Sequence, residues 1–117
     1  MSFFERNEFD AFAKSLAGVT LVDQWESRVA KVGGRVFALL IDGEARIVVK
    51  VSEESFEILT ALDGIEQAPY FARRKWIAIT GTAPLSEEEV RHYVTRSYEL
   101  VAAGLTKKLR SELGIAL

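Results

Sequence analysis

The chain has 117 residues, of which 49% are apolar and 27% charged, with a formal net charge of −2 and no cysteine. This length suits one ordinary domain spanning residues 1–117, able to bury roughly two-thirds of its unfolded surface, and the composition is that of a folded chain. No apolar run approaches the ~20 residues of a membrane span, Met1-Ser2-Phe3-Phe4-Glu5-Arg6 lacks a secretory pattern, and without cysteine there is no disulfide framework, thiolate nucleophile, zinc finger or iron–sulfur site, so a cytoplasmic location is expected.

Asn7 is placed to cap a first helix, with Phe9, Phe12, Ala13 and Leu16 on one face and Gly18 ending it. Residues 27 to 51 then read as three antiparallel strands. Arg28 to Val32 alternates, Gly33-Gly34 makes a hairpin, Arg35 to Ile41 follows, and Asp42-Gly43 turns the chain into Ala45 to Val51. Strict alternation places Phe37, Leu39 and Ile41 on one side of the middle strand, and points Arg28 and Lys31 to opposite faces. Ser52 caps a second helix, with Glu53 and Glu54 in its first turn, an apolar side of Ile58, Leu59 and Leu62, and Gly64 as its stop. A short strand is expected over Gln67 to Phe71 and another over Trp76 to Thr80, with Val49 and Trp76 in buried layers. Ser86 and Glu89 form a capping box for a third helix, whose stripe of Val90, Tyr93, Val94, Ser97 and Val101 runs to Gly104; Thr106 caps a last short helix. The expected fold is α+β and two-layer, an antiparallel sheet packed against helices, with the major elements ordered helix, three strands, helix, two strands, helix.

Catalytic signals are weak. His92, the only histidine, neighbours Glu88 and Arg96 at four-residue spacing, as surface ion pairs do. No metal-ligand spacing, nucleophile elbow or phosphate loop is present, and the carboxylates at 53–57 and 87–89 are explained by helix starts. The expectation is a non-enzymatic domain without metal or cofactor. Charge, however, comes in blocks: Glu53 to Glu66 holds five acids and no base, and Arg73-Arg74-Lys75 then places three cations together. The segment Pro69-Tyr70-Phe71-Ala72-Arg73-Arg74-Lys75-Trp76 thus interleaves cations with aromatics, a combination that can bind phosphates and stack bases. The plainer reading buries the aromatics and leaves the cations to solvent or to the acidic helix at Glu53 to Glu57.

Four stretches together carry a family resemblance: Val29-Ala30-Lys31-Val32-Gly33-Gly34-Arg35-Val36-Phe37-Ala38-Leu39-Leu40, Val48-Val49-Lys50-Val51, Ala68-Pro69-Tyr70 with Trp76, and Ser97-Tyr98-Glu99-Leu100-Val101 followed by Leu105-Thr106-Lys107-Lys108-Leu109-Arg110. The sequence resembles the MmcQ/YjbR family of small bacterial proteins. Many members carry a histidine and an asparagine between the Pro-Tyr and the tryptophan, where this chain has the shorter Phe71-Ala72-Arg73-Arg74-Lys75. The resemblance implies an α+β fold similar to a double-wing DNA-binding domain, with DNA binding suggested by fold shape and no known reaction. Two functions follow as expectations. The first is DNA binding through a local basic surface of Arg73, Arg74, Lys75, Lys31 and Arg35. The alternative is a protein- or small-ligand-interaction module with Tyr70 and Trp76 as an aromatic rim.

Overall fold

Six segments rich in β-branched residues form the strands β1 (Val19–Gln24), β2 (Ser27–Val32), β3 (Arg35–Ile41), β4 (Arg46–Lys50), β5 (Ile65–Gln67) and β6 (Trp76–Thr80). In the computed structural model, which describes residues 2–41 and 43–116, they pair into one sheet in the order β1-β2-β3-β4-β6-β5. Every neighbouring pair is antiparallel. The helices are α1 (Arg6–Lys14), α2 (Glu53–Thr60), α3 (Glu87–Ala103) and α4 (Lys107–Glu112). No helix among the described residues is long and apolar enough to cross a membrane.

The expected layers hold, but the order gains a strand. Val19–Gln24 pairs with β2 through a two-residue turn, Trp25-Glu26, whose φ values of 55° and 56° are those of a type I′ hairpin. Such turns usually announce themselves with Asn-Gly or Asp-Gly; Trp-Glu gives no such signal, which is why β1 was absent from the expected order. Three smaller corrections have equally local causes. Glu5, not Asn7, is the N-cap of α1, and it makes no side-chain cap bond. Ile58 is 62% exposed, because α2 offers the core Leu59 instead. The strand expected over Gln67 to Phe71 ends at Gln67, where Pro69 cannot donate to a ladder. The turn residue Asp42 lies outside the described residues. The caps of α2, α3 and α4 are as read: Ser52, Ser86 and Thr106 each accept from the backbone N–H three residues on, and Glu89 completes the capping box by accepting from the Ser86 amide.

All four helices contribute to a single core on one side of the sheet. Phe3, Phe9, Phe37, Leu40, Ile47, Ile77, Ile79, Val90 and Val94 are fully buried there, each side chain stabilising by about 1.5–3 kcal/mol. The alternation expected along β3 fails at Phe37. Ala30 faces Ala38 while Lys31 faces Val36, so Phe37 is the extra residue of a β-bulge. Phe37, Ala38 and Leu40 therefore belong to the helix-side core, whereas Leu39 and Ile41 join Val29, Val48, Ala78 and the half-buried Trp76 on the opposite face. Ser97 of α3, at 0% exposure, closes the gap that the bulge opens: its hydroxyl donates to the Phe37 carbonyl at 2.6 Å and accepts from the Lys50 N–H at 2.8 Å. Among the described residues, the opposite face carries no helix. Only the connection from β5 to β6 crosses it.

Candidate functional site

On this helix-free face the sheet forms the floor of a cleft of about 710 Å³, within the usual size range of small-molecule sites. Leu39, Ile41 and Val48 line the floor, the Trp25-Glu26 hairpin forms one wall, and Pro69, Tyr70 and Phe71 form the other. Trp25 is 62% exposed and Tyr70 fully so, large aromatic surfaces that folding leaves in water. Trp25, Glu26 and Tyr70 also hold left-handed backbone angles, with φ of 55°, 56° and 68°. Non-glycine residues rarely adopt that region, and doing so costs of order 1 kcal/mol each. Strain and exposed aromatics thus coincide on the two walls.

The second wall is held by one side chain. The Gln67 amide nitrogen donates to the carbonyls of Ala68 (2.8 Å), Phe71 (3.3 Å) and Ala72 (3.4 Å), and its oxygen accepts from the Arg74 N–H at 2.9 Å. Phe71 leans on Trp76 with ring centroids 4.6 Å apart. Trp76 therefore supports the wall from behind and does not line the cleft, which corrects its expected place on the rim, whereas Tyr70 is among the lining residues. The partner of Tyr70 across the cleft, Trp25, was missed along with its hairpin.

One cation enters the cleft. Arg46, first residue of β4, sits between Ile41 and Thr80 in the sheet and lines the site with Glu26, Glu44 and Ser27. Its Nε is shielded from solvent and has no hydrogen-bond partner, and among the described residues its guanidinium makes no ion pair. A buried donor left unmade costs about 1–3 kcal/mol.

Lys31, Arg35 and the segment Arg73 to Lys75 lie toward one end of the sheet, the end away from Trp25. Lys31 and Arg35 flank the Gly33-Gly34 turn, and Arg73 to Lys75 lead into β6, whose first residue pairs with Lys50. One of the five already has a structural partner. Arg74 pairs with Glu57 of the acidic helix and lies 5.7 Å from the Phe56 ring centroid; that hydrogen bond is the main cause of its raised pKa. Arg35 reaches the C-terminus of α3, where its guanidinium would touch a Cβ at Gly104. That helix has no basic residue in its own last turn, so Arg35 and Arg110, which donates to the carbonyls of Ala103 and Leu105, supply the favourable charge there. Arg28 points to the helix side, gripping Asp10 with two bonds of 3.0 and 3.1 Å; the hydrogen bonding to Asp10 leads the causes that raise its pKa. His92 is exposed and rests edge-on against Tyr93, and Arg96 pairs with Glu99 rather than with a neighbour of His92. Among the described residues no group of three or more acidic or histidine side chains is placed to hold a metal.

A family model described as YjbR matches residues 14–100, most of the chain and all six strands of the sheet. The chain belongs to the YjbR family. No curated protein matches it. Two crystal structures share the fold. One is a Deinococcus radiodurans protein assigned to the domain family DUF419, 24% identical, with a TM-score of 0.83 over 94% of this chain and 88% of that one. The other is a Pseudomonas syringae protein, 23% identical, with a TM-score of 0.70 over 82% of this chain and 97% of that one.

Within this YjbR domain, most of the residues that carry the family resemblance do structural work. Ser97 bridges the bulge, and Tyr98 packs edge-on against Phe37 at 5.4 Å while its hydroxyl donates to the Ala17 carbonyl; burial raises the pKa of that phenol. Gly33 (φ +58°) lies under Leu105, where a Cβ would come within 2.7 Å of Cδ1. The resemblance also touches the cleft, through Leu39, Val48, Pro69 and Tyr70.

Proposed function

We propose that this YjbR domain is a non-catalytic binding module that takes a small molecule into the cleft between Trp25 and Tyr70. The observation that carries the reading is the placement of two exposed aromatic side chains, both on left-handed backbone, on facing walls over an apolar floor. Folding alone gains nothing from either feature, whereas a flat apolar ligand between the rings would use both. The groups whose protonation is displaced each have a structural cause elsewhere: Arg28 on Asp10, Arg74 on Glu57, Glu89 in its capping box and Tyr98 in the core. The test is fluorescence titration with the neutral probe N-phenyl-1-naphthylamine. Micromolar binding is expected to wild type, and at least a tenfold loss in Trp25→Gly and in Tyr70→Ser, with the melting temperature of Trp25→Gly held or raised because glycine relieves the hairpin. Wild-type binding unaffected by both changes would refute the reading.

A second reading, DNA held at the other end of the sheet, is favoured by the row of Lys31, Lys50, Arg73 and Lys75. Those strands span about 14 Å at the usual spacing. Phosphate contacts of this kind weaken steeply and log-linearly with salt. Duplex binding at low salt that the triple change of Lys31, Arg73 and Lys75 to alanine abolishes would establish it; no binding at 50 mM salt would remove it.

A further inference from the structure

Resting on the reading of the cleft as a small-molecule site, we infer that its ligand is a monoanion, an apolar aromatic body bearing a single carboxylate or sulfonate that Arg46 receives. The cleft is apolar where the strands line it, at Leu39, Ile41 and Val48, and Arg46 is the one basic side chain among its lining residues. That guanidinium is half-buried, has a shielded Nε without an acceptor, and makes no ion pair with any described residue. Arginine presents its donors in a planar fork that matches an oxyanion side-on, and such charge-assisted pairs gain strength as water is excluded. An incoming oxyanion would therefore meet the terminal nitrogens of a guanidinium that makes no ion pair with any described residue, while Nε stays closed off behind them.

Among the described residues, two acids at the site set the limit on charge. Glu26 and Glu44 are exposed lining residues, and both are free of any ion pair among the described residues. One negative group on Arg46 is balanced by the arginine itself; a second would face two carboxylates and no further cation. Polyphosphates and dicarboxylates are disfavoured on that account, and a neutral aromatic would leave the guanidinium without a counter-charge.

Two fluorescent probes with the same N-phenylnaphthylamine body separate these cases, since 1-anilinonaphthalene-8-sulfonate adds one sulfonate to the neutral N-phenyl-1-naphthylamine. Wild type is expected to bind the sulfonate at least tenfold more tightly. Arg46→Gln is expected to erase that preference, bringing the affinities for the two probes to within about twofold of each other. Excess pyrophosphate should not displace the sulfonate. Equal affinity of wild type for both probes would overturn the inference while leaving the cleft reading standing, and binding of neither would remove both. Because the first comparison uses wild type only, it decides the matter even if Arg46→Gln does not fold. Undiminished sulfonate binding by a folded Arg46→Gln, or displacement by pyrophosphate, would equally overturn it.

Discussion

Replacing Ser97 by alanine removes a single oxygen atom yet strands two backbone groups. The Phe37 carbonyl loses its donor at 2.6 Å and the Lys50 amide its acceptor at 2.8 Å, in a place that the 0% exposed Ser97 seals from water. The bulge prevents repair, because the Ala38–Val49 pair is the last register that β3 and β4 share on that side. Each unsatisfied group costs about 1–3 kcal/mol, so the change should destabilise the domain by about 2–6 kcal/mol. For a chain of this size that corresponds to a fall in melting temperature of about 10 °C or more. Circular dichroism at 222 nm during thermal and urea unfolding measures both, with the exposed Ser111→Ala as a control expected to lie within about 0.5 kcal/mol of wild type. A Ser97→Ala variant as stable as that control would show that water or a strand shift satisfies the bulge, and the assignment of Ser97 as its closing group would be wrong.

Three further outcomes are expected. Gly33→Ala should cost about 1–3 kcal/mol in urea unfolding, from its φ of +58° and the 2.7 Å approach to Leu105 Cδ1; in a Leu105→Ala background the added cost should shrink, and full additivity would rule out the contact. Gln67→Ala should weaken binding of N-phenyl-1-naphthylamine severalfold while changing urea stability by about 1 kcal/mol or less, since the amide orders the cleft wall and not the core; the reverse pattern would make Gln67 a core residue. The Glu89 carboxyl is held below its ordinary pKa by the backbone and side-chain hydrogen bonds with Ser86. A lowered folded pKa gives stability that is present above the unfolded value of about 4.3 and is lost as pH falls through the folded one. The stability difference between wild type and Glu89→Ala should therefore be larger at pH 7 than at pH 2.5, and a pH-independent difference would refute the assignment.

Much of the fold was legible because its signals are local. Ser86 and Glu89 announce a helix by sequence spacing alone, and the structure returns the capping box they imply. Alternation in Arg28 to Val32 puts Ala30 and Val32 in the helix-side core and Val29 on the opposite face. What failed depended on non-local or unmarked features. The β1–β2 turn is built from Trp25 and Glu26 held at positive φ, with no glycine to mark it. The bulge at Phe37 moves one residue across the sheet, and only the partner strand reveals where. The candidate site was half legible for the same reason: Tyr70 stood out beside its cations, whereas Trp25 faces it only because two distant segments fold onto the same uncovered face. Of the cations, composition could pick out the cluster but not that Arg74 is claimed by Glu57 or that Arg35 serves the end of α3.

The Gln67 amide has one more consequence, for how such a protein can change over generations. The four bonds that shape the segment from Ala68 to Arg74 all end on backbone atoms, so they constrain where the chain goes and not which side chains it bears. Phe71 is tied to Trp76 by ring packing, but Tyr70, Ala72 and Arg73 point into solvent. Substitutions at these three positions can accumulate without disturbing the sheet, the bulge or any helix. The segment is in effect a replaceable insert on a fixed frame, and selection for a different ligand has its cheapest raw material there.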